Sequence, residues 1–114
     1  MKIKEIVGLV NGKIVCGEEH QDVEVNIAFA SDLMSDVLTV KINDLLLITG
    51  LVNVQTIRTA EMSDISCLLF TRNKIVTPEM KEIAQDNDMV LITTPYSTFK
   101  TSGILYSHGI HPVY

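Results

Sequence analysis

Three threonines mark where this 114-residue chain could do chemistry. Thr49, Thr71 and Thr93 each close an unbroken apolar run, Leu45–Ile48, Cys67–Phe70 and Met89–Ile92, and both intervals between them are 22 residues. A hydroxyl at a strand end, beside the N-terminus of the next helix, can help hold an anion. Gly50, Arg72, Thr94 and Ser97 stand next to these positions. The candidate ligand-binding set is therefore Thr49, Gly50, Thr71, Arg72, Thr94 and Ser97, with Lys74 the other basic residue nearby. A plainer reading stands beside it: threonine favours strands, and its hydroxyl often satisfies free backbone groups at strand ends. Ser31, Asp32, Ser35 and Asp36 form a second polar cluster, which reads equally well as helix capping or as part of a site.

Other chemistries lack their residues. His20, His108 and His111 are the only histidines, and only His108 with His111 approaches metal-ligand spacing, so no metal site is expected. No serine or cysteine sits in a glycine-flanked elbow. Neither a GxGxxG nor a GxxxxGK[ST] loop occurs. With no acid, base or nucleophile in a recognisable setting, the expectation is a non-enzyme without a cofactor. A net charge of −5 argues against nucleic acid or an anionic membrane as partner, since both need a basic face. No apolar stretch is long enough to span a membrane and no signal-peptide pattern opens the chain, so a cytoplasmic location is expected. Cys16 and Cys67, far apart in an acidic chain, read as reduced structural residues.

The elements that must position the threonines follow from the same runs. Apolar runs without alternation suit strands buried on both faces, as in a parallel sheet covered by helices. Such sheets bind ligands at the carboxyl ends of their strands. Between and after the runs lie segments with helical spacing. Asn53 is the expected cap of the first, with Val54, Ile57 and Ala60 facing the sheet. Thr77, Pro78 and Glu79 open the second, with Met80, Ile83, Ala84 and Asn87 on one face. Ser97 caps the third, where Phe99, Ser102, Gly103 and Tyr106 share a face. Glycine there suggests close packing on the sheet or on a second chain. Upstream, a short helix over 2–10 ends at Asn11-Gly12, and 13–16 reads as a short strand. Val23 to Phe29 alternates and predicts a strand with one buried face, at a sheet edge or in a small sheet of its own. Residues 33–40 fit a short helix or a loop. The apolar tail 110–114 has no assigned role. The fold class is thus α/β: three layers, a mainly parallel sheet with flanking helices, in one domain over 1–114.

Thr71-Arg72-Asn73, Thr77-Pro78-Glu79 and above all Thr94-Pro95-Tyr96-Ser97-Thr98-Phe99 resemble the DRTGG domain family, and Ala30 to Val37 resembles its small stand-alone members. The resemblance runs from about Ala30 to Ile110. It implies a fold like the N-terminal domain of HPr kinase/phosphorylase, which is a regulatory α/β domain without the kinase site. Related domains occur in some phosphotransacetylases and beside CBS domains. The family's Asp-Arg after the first parallel strand is replaced here by Leu51-Val52-Asn53, and its Thr-Gly-Gly by Thr71-Arg72-Asn73. The resemblance implies a non-catalytic regulatory domain sensing a small anionic or nucleotide-like ligand, and a tendency to form homodimers. Small members are often encoded near iron hydrogenase subunits. The alternative is therefore an interaction or assembly partner of a redox or signalling complex, with no small-molecule site.

Overall fold

The apolar runs become the centre of a six-stranded sheet in the computed structural model, which describes all 114 residues. In chain order the elements are helix α1 (Ile3–Leu9), strands β1 (Lys13–Cys16) and β2 (Ile27–Ala30), helix α2 (Met34–Val37), strand β3 (Leu45–Thr49) and helix α3 (Val54–Met62). Strand β4 (Cys67–Phe70), helix α4 (Pro78–Asp86), strand β5 (Val90–Thr93), helix α5 (Thr98–Ser107) and strand β6 (His111–Pro112) complete the chain. The strand order is β1-β5-β4-β3-β2-β6; β1 runs antiparallel to β5 and every other pair is parallel.

Every residue of β3 and β4 is buried, because helices cover both faces. Strand alternation splits the core in two. Leu45, Leu47, Leu68, Phe70 and Leu91 pack with Val37, Ile57, Ala60, Met80 and Ala84 of α2, α3 and α4. Leu46, Ile48, Leu69, Val90 and Ile92 pack with Ile3 and Ile6 of α1 and Leu105 of α5. Three layers result. No helix is long and apolar enough to cross a membrane.

The helix starts are the expected ones. Asn53, Thr77 and Ser97 each accept a backbone N–H from the first turn of α3, α4 and α5. The helix ends share one device. Asn11, Asp64, Asp88 and Gly109, each just past a helix, adopt left-handed backbone. The next N–H then folds back five residues, from Gly12 to Val7, Ile65 to Ala60, Met89 to Ala84 and Ile110 to Leu105. This closure satisfies terminal carbonyls and buries Ile65, Met89 and Ile110 against the helix just ended.

Four expectations need correcting. The alternating stretch 23–29 does not form one strand: β2 starts at Ile27, Val23 is exposed, and β2 lies inside the sheet, parallel to β3. The tail is not idle, because β6 pairs with β2 and covers its edge, while Tyr114 meets the Phe29 ring edge-on at 6.2 Å. Residues 33–40 do hold a short helix, a single turn at Met34–Val37, but its N-cap is Leu33, so neither Ser31 nor Asp32 caps it. Finally, Phe99 and Gly103 face away from the sheet and Tyr106 lies at the flank of α5, which packs inward through Thr101 and Leu105.

Candidate functional site

At the carboxyl edge of the sheet, Asp32 follows β2 and reaches across to the end of β3. Its Oδ1 accepts from the Thr49 hydroxyl at 2.9 Å and from the Gly50 N–H at 2.7 Å. Oδ2 has no partner. The Leu51 N–H donates to Thr49 Oγ1 at 3.1 Å, which fixes that hydroxyl's orientation. From the next strand, the Thr71 hydroxyl is 2.8 Å from the hydroxyl of Thr98 in the first turn of α5. Gly50 lies between the two groups: a Cβ there would stand 3.5 Å from both Asp32 Oδ2 and Thr71 Oγ1. The Lys74 ammonium donates to the Gly50 carbonyl and closes the cluster on its other flank.

Arg72 stands at the rim, exposed, in no ion pair. Arg72 and Asn73 both have left-handed backbone, φ 65° and 55°. Their N–H groups donate to the carbonyls of Tyr96 and Thr94, each at 2.8 Å. The loops after β4 and β5 leave for opposite faces of the sheet, and this divergence would normally open a crevice. Here the two hydrogen bonds hold the loops together.

The six predicted site residues thus divide. Thr49, Gly50 and Thr71 line one polar cluster, with Arg72 at its edge. Thr94 is buried and its hydroxyl donates to the Val10 carbonyl at 2.6 Å, anchoring the end of α1. Ser97 Oγ accepts from the Lys100 N–H at 3.1 Å as the cap of α5. Sequence reasoning left Asp32, Lys74 and Thr98 outside the set. Asp32 was visible only as one of four polar residues, since its partners lie 17 and 18 positions away.

The two ends of the parallel strands differ in charge. The connections 31–33, 50–53, 71–77 and 94–97 carry Asp32, Arg72 and Lys74 as their only charged residues, in a chain of net charge −5. Lys100 sits 3.8 Å over the Tyr96 ring beside them. The opposite edge is acidic: Glu24, Asp44, Asp64 and Asp88 each precede a parallel strand by three residues or fewer. Neither thiol is poised for nucleophilic attack. Burial pushes Cys67 up to about 12. Burial, with Glu19 adding to it, also raises Cys16.

The model of the DRTGG domain family matches residues 5–107. No curated protein matches the chain. Among solved structures, the CBS and DRTGG domains of the regulatory region of Clostridium perfringens pyrophosphatase, complexed with the activator diadenosine tetraphosphate, share the fold with a TM-score of 0.75 at 20% sequence identity. The likeness covers 91% of this chain and 45% of that one, so this chain spans less than half of that protein's regulatory region.

Proposed function

The chain belongs to the DRTGG domain family, and from that premise we propose that it is a non-catalytic regulatory domain that binds a small anionic or nucleotide-like ligand at the carboxyl ends of its parallel strands. The whole of 1–114 acts as one such domain. The observation that carries this reading is the Asp32–Gly50–Thr71 cluster, set at the only edge of the sheet where cations outnumber acids. The regulatory region of the similar pyrophosphatase is described with a dinucleotide activator, which supports a ligand of this class. The chemistry of the cluster supports a non-catalytic role. Asp32 is engaged by Thr49 and Gly50, and no second acid, base or activated nucleophile faces it.

Thermal shift against nucleotides and acyl phosphates tests the reading. Saturable binding raises stability by RT ln(1 + [L]/Kd), about 2.7 kcal/mol at a hundredfold excess over Kd. A flat response across the panel at millimolar concentration contradicts it. Gly50→Ala sharpens the test. Gly50 is not in left-handed backbone and its added methyl meets only ordinary contacts, so the variant folds, while the methyl fills the gap between Asp32 and Thr71.

A second reading rests on α5. Phe99 is 90% exposed and Tyr106 64%, and nothing lies within 4 Å of a Cβ built on Gly103 between them. This face suits a twofold homodimer or the docking of a redox or signalling partner.

A further inference from the structure

On the α5 side of the sheet, beside the polar cluster, lies a cavity of about 200 Å³. Its walls include Ala28 and Ala30 of β2, Ile48 of β3, and Ser102, Leu105 and Tyr106 of α5. Small side chains on β2 create it. Three chain segments tie it to the cluster. Ala30 precedes Asp32 by two residues and Ile48 precedes Gly50 by two, a separation of at most about 7 Å. Ser102 follows Thr98 by one helical turn, about 6 Å along the axis. Cavity and cluster are therefore neighbours along β2, β3 and α5.

The groups along these segments specify an order of ligand chemistry. The cavity is walled mainly by apolar side chains and exceeds the roughly 150 Å³ that accommodates a benzene ring, so it takes a flat apolar body larger than one ring. Next comes Asp32 Oδ2, unpartnered and able only to accept, so the group beside it must donate. A phosphate is repelled there; a hydroxyl pair fits, as ribose hydroxyls fit the acid at a strand end in dinucleotide-binding sheets. Farther out stand Lys74 and Arg72, which suit a phosphate.

The geometry points to a purine nucleoside, free or as its 5′-phosphates, with the base in the Ala28–Ala30–Tyr106 cavity and the ribose hydroxyls on Asp32. The inference rests on the ligand-binding reading above and narrows it from an anion to a nucleoside.

Calorimetric titration separates the two. The ligands are adenosine, guanosine, 2′,3′-dideoxyadenosine and tripolyphosphate, each titrated into the native chain and into Ala30→Leu. Ala30 is exposed at the end of β2, so a larger side chain there leaves the fold intact, as its melting temperature verifies. The expected result is binding of adenosine or guanosine, weakened at least roughly tenfold, about 1.4 kcal/mol, both by Ala30→Leu and by loss of the ribose hydroxyls. Tripolyphosphate binding without nucleoside binding overturns the nucleoside and leaves the anion-sensing reading standing. No binding of any of the four overturns both. Nucleoside binding indifferent to Ala30→Leu removes the base from the cavity, and binding indifferent to the missing hydroxyls removes the ribose from Asp32.

Discussion

Arg72 is the residue at which local cost and proposed function meet. Of six non-glycine residues in left-handed backbone, the other five are Asn or Asp, whose short polar side chains tolerate it. Arginine has no such excuse, and the conformation costs about 1–2 kcal/mol. Strain of this kind persists where the surroundings enforce it, often at binding sites. We predict that Arg72→Gly raises stability by about 1 kcal/mol in urea denaturation and weakens binding of phosphorylated ligands. Unchanged or lower stability, with binding intact, would contradict this. At Asp32 the sign reverses. Asp32→Ala deprives the Thr49 hydroxyl and Gly50 N–H of their acceptor, with an expected loss of about 1–3 kcal/mol. Cys67 supplies a pH test. Its thiol stays protonated when folded, while the unfolded thiol ionises near 9.0. The unfolded chain thus binds fewer protons above that pH, and stability falls by about 1.4 kcal/mol per pH unit between roughly 9 and 12. Cys67→Val should flatten that alkaline decline; a decline of the same slope in the variant places its cause elsewhere.

At the scale of elements, local rules were strong enough to be read directly. The caps Asn53, Thr77 and Ser97 and the three buried strands needed only nearest neighbours in sequence. Thr77→Ala accordingly should cost about 1 kcal/mol, measured by chemical denaturation, because the Met80 N–H loses its acceptor. Elements whose existence depends on a distant partner were not legible. Strand β6 is two residues with a proline, too short for any periodic signal, and it forms only because β2 presents an edge. The alternation of 23–29 imitates a half-exposed strand, yet Glu24 makes only an isolated bridge to Lys2 and regular pairing waits until Leu45 aligns with Ile27. The site was half legible for the same reason. Threonines at strand ends can be counted, but whether a hydroxyl is spent on α1, as in Thr94, or faces Gly50, as in Thr71, depends on which helix crosses above it. Helix α5 shows this most plainly: the periodicity grouped Phe99, Gly103 and Tyr106 on one face without saying that Phe99 and Gly103 turn outward.

The whole molecule is polarised along the strand direction, with acids before the parallel strands and two cations after them. An anion that binds at the carboxyl edge should associate more slowly as salt rises. The regulatory region of the similar pyrophosphatase contains CBS and DRTGG domains, and the α5 face of this chain exposes Phe99 and Tyr106. Sedimentation at micromolar concentration should report a dimer, and Gly103→Leu, open to solvent and cheap to accommodate in the monomer, should shift it toward monomer. A native monomer removes the twofold contact, and a dimer untouched by Gly103→Leu moves it to another surface. The central claim, a ligand seated at the carboxyl edge, is tested most directly by mapping backbone amide shifts in solution while titrating adenosine triphosphate. The prediction is a saturating set of perturbations confined to 30–33, 49–53, 71–74 and 96–102, with the acidic edge around Asp44, Asp64 and Asp88 silent. Shifts centred on that acidic edge, or a spectrum unchanged at millimolar nucleotide, would contradict it.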